Sequence, residues 1–139
     1  MKNAGRLKVP MMKIHILWKV YFWFLTVVVL ALLGGSIMQG VTAIKIVDIP
    51  ISLVALAGVF GFAYQKSVLT GVFWKAWLPV VILWDIFANF VWDGRAQMEG
   101  LGLLDIIVVV AFFYLLFLPG YIALYQYGFR SERIWNRVA

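Results

Sequence analysis

Four long apolar runs limit what this chain can fold into more than any other feature. They cover about 16–35 (ILWKVYFWFLTVVVLALLGG), 46–64 (IVDIPISLVALAGVFGFAY), 73–92 and 103–127 (LLDIIVVVAFFYLLFLPGYIALYQY). As helices rising ~1.5 Å per residue, each is long enough to cross ~30 Å of hydrocarbon. The runs are continuously apolar rather than alternating, which selects helices over the strands of a barrel. Hydrophobic residues make up 65% of the chain and charged ones 13%, more apolar surface than a soluble domain of 139 residues can cover. The expected fold is an all-α integral membrane protein, a single four-transmembrane-helix bundle over residues 1–139. Short connections make hairpins 1–2 and 3–4 antiparallel neighbours.

The basic residues set the expected threading. Lys2, Arg6, Lys8 and Lys13 precede the first span, and Lys19 lies just inside it. Lys66 and Lys75 flank the connection between spans two and three, and Arg130, Arg133 and Arg137 follow span four. Of the 12 basic residues only Lys45 and Arg95 fall on the other side. The positive-inside rule then puts the basic tails, 1–15 and 128–139, in the cytoplasm, N-in/C-in, as in a bacterial inner membrane. Because these bases flank apolar segments, the net charge of +6 suits anionic lipid headgroups and not nucleic acid. A cleaved signal peptide ending near "VTA" at 41–43 is disfavoured, since the first run has the length of a full span. Trp18-Lys19 and Asp48-Ile49 have echoes in Trp74-Lys75 and Asp105-Ile106. Aromatic belts and charge bias produce such pairs without a duplication.

Most catalytic chemistry lacks its residues. There is no cysteine, and His15 is the single histidine, in the basic leader. A bis-histidine haem, a zinc site and a serine–histidine hydrolase are therefore excluded within one chain. No glycine-rich phosphate loop is present. The chain is expected to be no enzyme and to need no cofactor.

One acid stands out. Asp93 and Glu99 belong to the outer loop and Glu132 to the tail. Asp48 reads as a helix cap at the start of span two, and Asp105 as a first-turn carboxylate complementing the helix dipole. Asp85 instead lies ~10 Å from the interface marked by Trp92 and ~15 Å from that marked by Lys75. An ionised carboxylate there costs several kcal/mol unless it is paired, hydrated or protonated. Asn89 follows one turn on, so the two form a polar stripe facing other protein. Thr26 and Tyr114 are the partners expected at that depth. Interhelical hydrogen bonding, about 1 kcal/mol per bond, is the preferred role. Lining an ion, proton or substrate path is the other.

The remaining features concern packing. Ser52, Ala55, Gly58 and Gly61 form a small-residue face for close helix approach, within the chain or to a partner. Pro119-Gly120 frees the carbonyl of Leu115 and is a candidate hinge. Trp18, Trp74 and Trp77 mark the inner interface, and Trp84 packs beside Asp85. The tail reads as a short interfacial helix anchored by Trp135. The function expected from these features is that of a small non-catalytic membrane protein binding other membrane components, as an accessory, regulatory or immunity-type subunit. The alternative is a homo-oligomeric transporter or channel subunit using Asp85 and Asn89. The partners are the lipid bilayer and either another membrane protein or the chain itself.

Overall fold

A computed structural model describes residues 11–38, 40, 42–92 and 99–136, with side chains from His15 onward. Lys2, Arg6, Lys8, Arg137, Asp93 and Arg95 lie outside the described residues, as does the side chain of Lys13. The elements are α1 (Met11–Met38), α2 (Ala43–Tyr64), α3 (Gly71–Ile86, continued by π-helical turns over Phe87–Trp92), α4 (Leu103–Arg130) and a short α5 (Glu132–Trp135). Four of these helices are long and apolar enough to cross a membrane, and no strand occurs among the described residues.

The helices start earlier than their apolar runs. α1 begins at Met11 rather than 16 and α2 at Ala43 rather than 46. Basic side chains on the first turns do not oppose helix formation, because their long stems can reach the headgroups. α4 runs through Pro119 to Arg130. The tryptophan belt also departs from expectation. Trp74 is only 1% exposed and its indole donates to the carbonyl of Val68 at 2.6 Å. It is a core residue with a satisfied polar tip, not an interface marker.

α1 packs on α2, α3 on α4, and α2 on α4, so the two hairpins meet along α2 and α4. At one end, which holds the 65–70 connection, the packing is dense. Phe22 and Leu25 of α1, Val59, Phe62 and Ala63 of α2, Trp74, and Ala123, Leu124 and Tyr127 of α4 form one buried cluster. Glycines allow this approach. A Cβ on Gly58 would run into Trp74 and Leu124, and one on Gly61 into the Tyr127 ring. Gly128 sits against the backbone of Trp74 and Lys75, where a Cβ would stand 3.3 Å away.

One hydroxyl makes two of the bonds that hold the 65–70 connection. Gln65 and Leu69 both have positive φ (54° and 61°), a conformation that costs a non-glycine residue about 1–2 kcal/mol. Tyr127 offsets that cost: its hydroxyl donates to Lys66 O at 2.6 Å and accepts from Val68 N at 2.8 Å. The tail closes over the same place. Ile134 is buried, and Trp135 packs at a tilt against Tyr127 while donating to its carbonyl at 3.0 Å. The expected short helix forms over Glu132–Trp135, and Ile134 and Trp135 pack it on the end of the bundle as a plug.

Candidate functional site

The opposite end, where α1 and α3 finish and α2 and α4 begin, is open. The helices enclose a half-open cavity of about 620 Å³ to which all four contribute. Its walls are mostly aliphatic and aromatic, but Lys45, Asp48, Asp85, Asn89, Tyr114 and Tyr121 also face it.

Asp85 occupies the wall of this cavity, half-buried. One carboxylate oxygen, Oδ2, accepts a short hydrogen bond from the hydroxyl of Tyr121 on α4. The next residue back, Trp84, donates from its indole to Asp48 Oδ1 on α2 at 2.8 Å. Adjacent residues of α3 therefore reach two different helices through two carboxylates. Asn89 turns back on its own helix, its amide donating to the Asp85 carbonyl at 2.8 Å. A side chain inserted into the backbone ladder is a recognised cause of helix distortion. Here α3 widens into π turns from Phe87 onward, which carry Asn89 and Phe90 along the cavity.

The structure brings Asp85 and Asn89 together but not with their expected partners. Thr26 donates to Phe22 O in its own helix at 2.8 Å and reaches no acid. Tyr114 lines the cavity, stacked on Phe90 with ring centroids 6.2 Å apart. Tyr121 takes the place assigned to Tyr114, and the reason is helix direction. Gly128 is level with Trp74 and Lys75; from there Asp85 stands ~16 Å along, Tyr121 ~10 Å and Tyr114 ~21 Å. Side chains lean toward the N-terminus of their own helix. In this antiparallel pair Asp85 leans back and Tyr121 leans forward, so they converge, whereas Tyr114 leans away. Depth matching corrected for lean finds Tyr121 from sequence.

Asp48 also departs from its expected role. α2 begins at Ala43, with Thr42 at the cap position, so Asp48 is inside the helix and faces the cavity. The apolar run begins at Ile46, and the helix adds a turn before it that the hydropathy pattern does not show. Asp105, by contrast, does stand in the first turn of α4, accepting from the Gly102 amide at 3.2 Å.

The small-residue face divides in two. Gly58 and Gly61 receive Trp74, Leu124 and Tyr127 of the same chain, while Ser52 and Ala55 line the cavity. Gly120 leaves room for Tyr21, whose hydroxyl donates to Leu116 O at 3.0 Å. A hydroxyl from α1 thus supplies a donor beside Pro119, where the α4 ladder is interrupted. The next residue is Tyr121. Of the basic set, Arg130 and Arg133 are exposed at the closed end together with Lys19, Lys66 and Lys75. Lys19 lies over the Tyr64 ring at 5.1 Å and Lys75 over the Phe129 ring at 5.7 Å.

In chemical terms the cavity offers carboxylates held by neutral donors, an amide and hydroxyls against apolar walls. Such an arrangement can hold an ion or the polar part of a small molecule. No protein family, no curated protein and no solved structure matches the chain.

Proposed function

We propose that the protein is a non-catalytic integral membrane protein that binds a small molecule inside its own helix bundle. Both termini are in the cytoplasm and the cavity opens toward the outer face. The observation that carries this reading is the cavity of about 620 Å³ between all four helices, lined by Asp48, Asp85, Asn89 and Tyr121. Small-molecule sites typically span ~300–1,000 Å³, mostly apolar with a few placed polar groups. The orientation is supported by the described basic residues: Lys19, Lys66, Lys75, Arg130 and Arg133 flank one end, and Lys45 lies near the other.

The accessory-subunit reading has less behind it. The small-residue face was open to packing within the chain or on a partner, and Gly58 and Gly61 receive side chains of this chain. The transporter reading gains support, and it no longer needs a second copy to complete the polar site, because Asp85 meets Tyr121 within one chain. A bundle open at one end and packed at the other corresponds to one of the two states that alternating access requires.

Native mass spectrometry of the chain released from its own membrane tests the proposal. The expected spectrum shows an adduct of small-molecule mass, lost from the cavity-filling variant Ala55→Phe. A stoichiometric foreign chain with no adduct overturns it and restores the accessory reading. Orientation is read separately with single cysteines. Leu101→Cys should label from outside the cell and Ser67→Cys only after permeabilisation; the reverse pattern inverts the topology.

A further inference from the structure

We infer that the cavity selects a lipophilic molecule bearing one positive charge, seated between Asp48 and Asp85. The inference rests on the reading of the cavity as a ligand site and adds the chemical class of the ligand.

Three observations lead there. First, the two carboxylates face one cavity from neighbouring walls, since Trp84 ties Asp48 to the residue next to Asp85. Second, each carboxylate has one oxygen engaged by a neutral donor, Oδ1 of Asp48 by the Trp84 indole and Oδ2 of Asp85 by the Tyr121 hydroxyl. The donors fix the orientation of both groups without neutralising either. Among the described residues the second oxygen of each has no protein donor and remains free to meet a cation. Third, Lys45 is the one basic side chain among the described residues of the cavity wall. These described residues set two acidic side chains against one basic one, a surplus that a monovalent cation offsets.

The walls decide what kind of cation. Leu25, Val29, Val109 and Phe113 are among the apolar majority that line the space. A bare metal ion would leave those surfaces wet and would find few oxygens to replace its hydration shell. A cation carrying aromatic or aliphatic groups satisfies both parts of the site. Phe113, Tyr114 and Tyr121 put aromatic rings on the wall, and aromatic rings attract positive charge at their faces. An anionic lipophile of the same shape would place like charge against two carboxylates in a medium that screens poorly.

The test uses a pair of probes matched in shape and opposite in charge, tetraphenylphosphonium and tetraphenylborate. Each is titrated into the purified full-length protein in a non-ionic detergent, with equilibrium dialysis measuring binding. Saturable phosphonium binding with no saturable borate binding is expected. Asp85→Asn and Asp48→Asn should each weaken phosphonium binding by about tenfold, the equivalent of ~1.4 kcal/mol. Lys45→Gln should tighten it several-fold, a gain that a merely damaged fold cannot produce. Borate binding that is lost in Ala55→Phe overturns the choice of charge and leaves the ligand site standing. Phosphonium binding unchanged in both aspartate variants overturns the placement of the charge. If neither probe binds and the native adduct is also absent, the ligand site itself falls.

Discussion

The two ends of this bundle are built from the same kinds of residue and behave as opposites. At the closed end Trp74, Val59 and Tyr127 are at most 1% exposed, and glycines bring the helices into contact. At the open end the same helices diverge around a cavity whose polar groups bond across it in pairs. Helices in lipid gain little from hiding apolar surface, because the solvent is itself apolar; close packing and hydrogen bonds hold them instead. The closed end has both. Among the described residues the open end relies on two side-chain bonds between helices, so rigidity is concentrated at one end of the bundle and open space at the other.

Substitutions that break this contrast should show it in order of size. Trp74→Ala removes the largest side chain of the dense cluster and the donor to Val68 O. It should lower stability by about 3–5 kcal/mol, measured by unfolding in detergent. Gly58→Val, which forces bulk between α2, α3 and α4, should cost about 1–3 kcal/mol. Tyr127→Phe removes the two bonds that its hydroxyl makes to the 65–70 connection and should cost about 1–3 kcal/mol. Asp85→Leu, at the open end, should cost about 1 kcal/mol through loss of the Tyr121 bond, and Asp85→Asn less. Val109→Ala should cost less than about 1 kcal/mol, since its neighbours already border open space. An open-end substitution as damaging as Trp74→Ala would mean that the cavity is filled by structure, not by ligand.

Much of the closed end and little of the open one can be read from the chain. Span number and hairpin pairing follow from apolar length and short connections. Asp85 is conspicuous because nothing else charged lies so deep in an apolar run. Its partner was missed because residue counting fixes the depth of a Cα, while a tyrosine hydroxyl lies several ångströms toward the helix N-terminus. Asp48 was missed for a different reason. A carboxylate beside Ile49-Pro50 satisfies every local rule for a helix start, and only the extra turn from Ala43 makes it an interior residue. The tail is legible only in part: alternating bases and apolar residues suit a lipid surface and a protein surface alike. Trp135 settles on Tyr127 because that ring is already presented at the bundle's end.

The clamp on the 65–70 connection bears on the order in which the protein is made. Two left-handed residues join the second and third helices, and the hydroxyl that holds them belongs to Tyr127, near the finish of the last span. The plug that covers it, Ile134 and Trp135, comes later still. A growing chain therefore delivers its first three helices into the membrane with the turn between its hairpins held by Trp74 but still lacking the Tyr127 bonds. The rigid face is completed only once the residues from Tyr127 to Trp135 have been made.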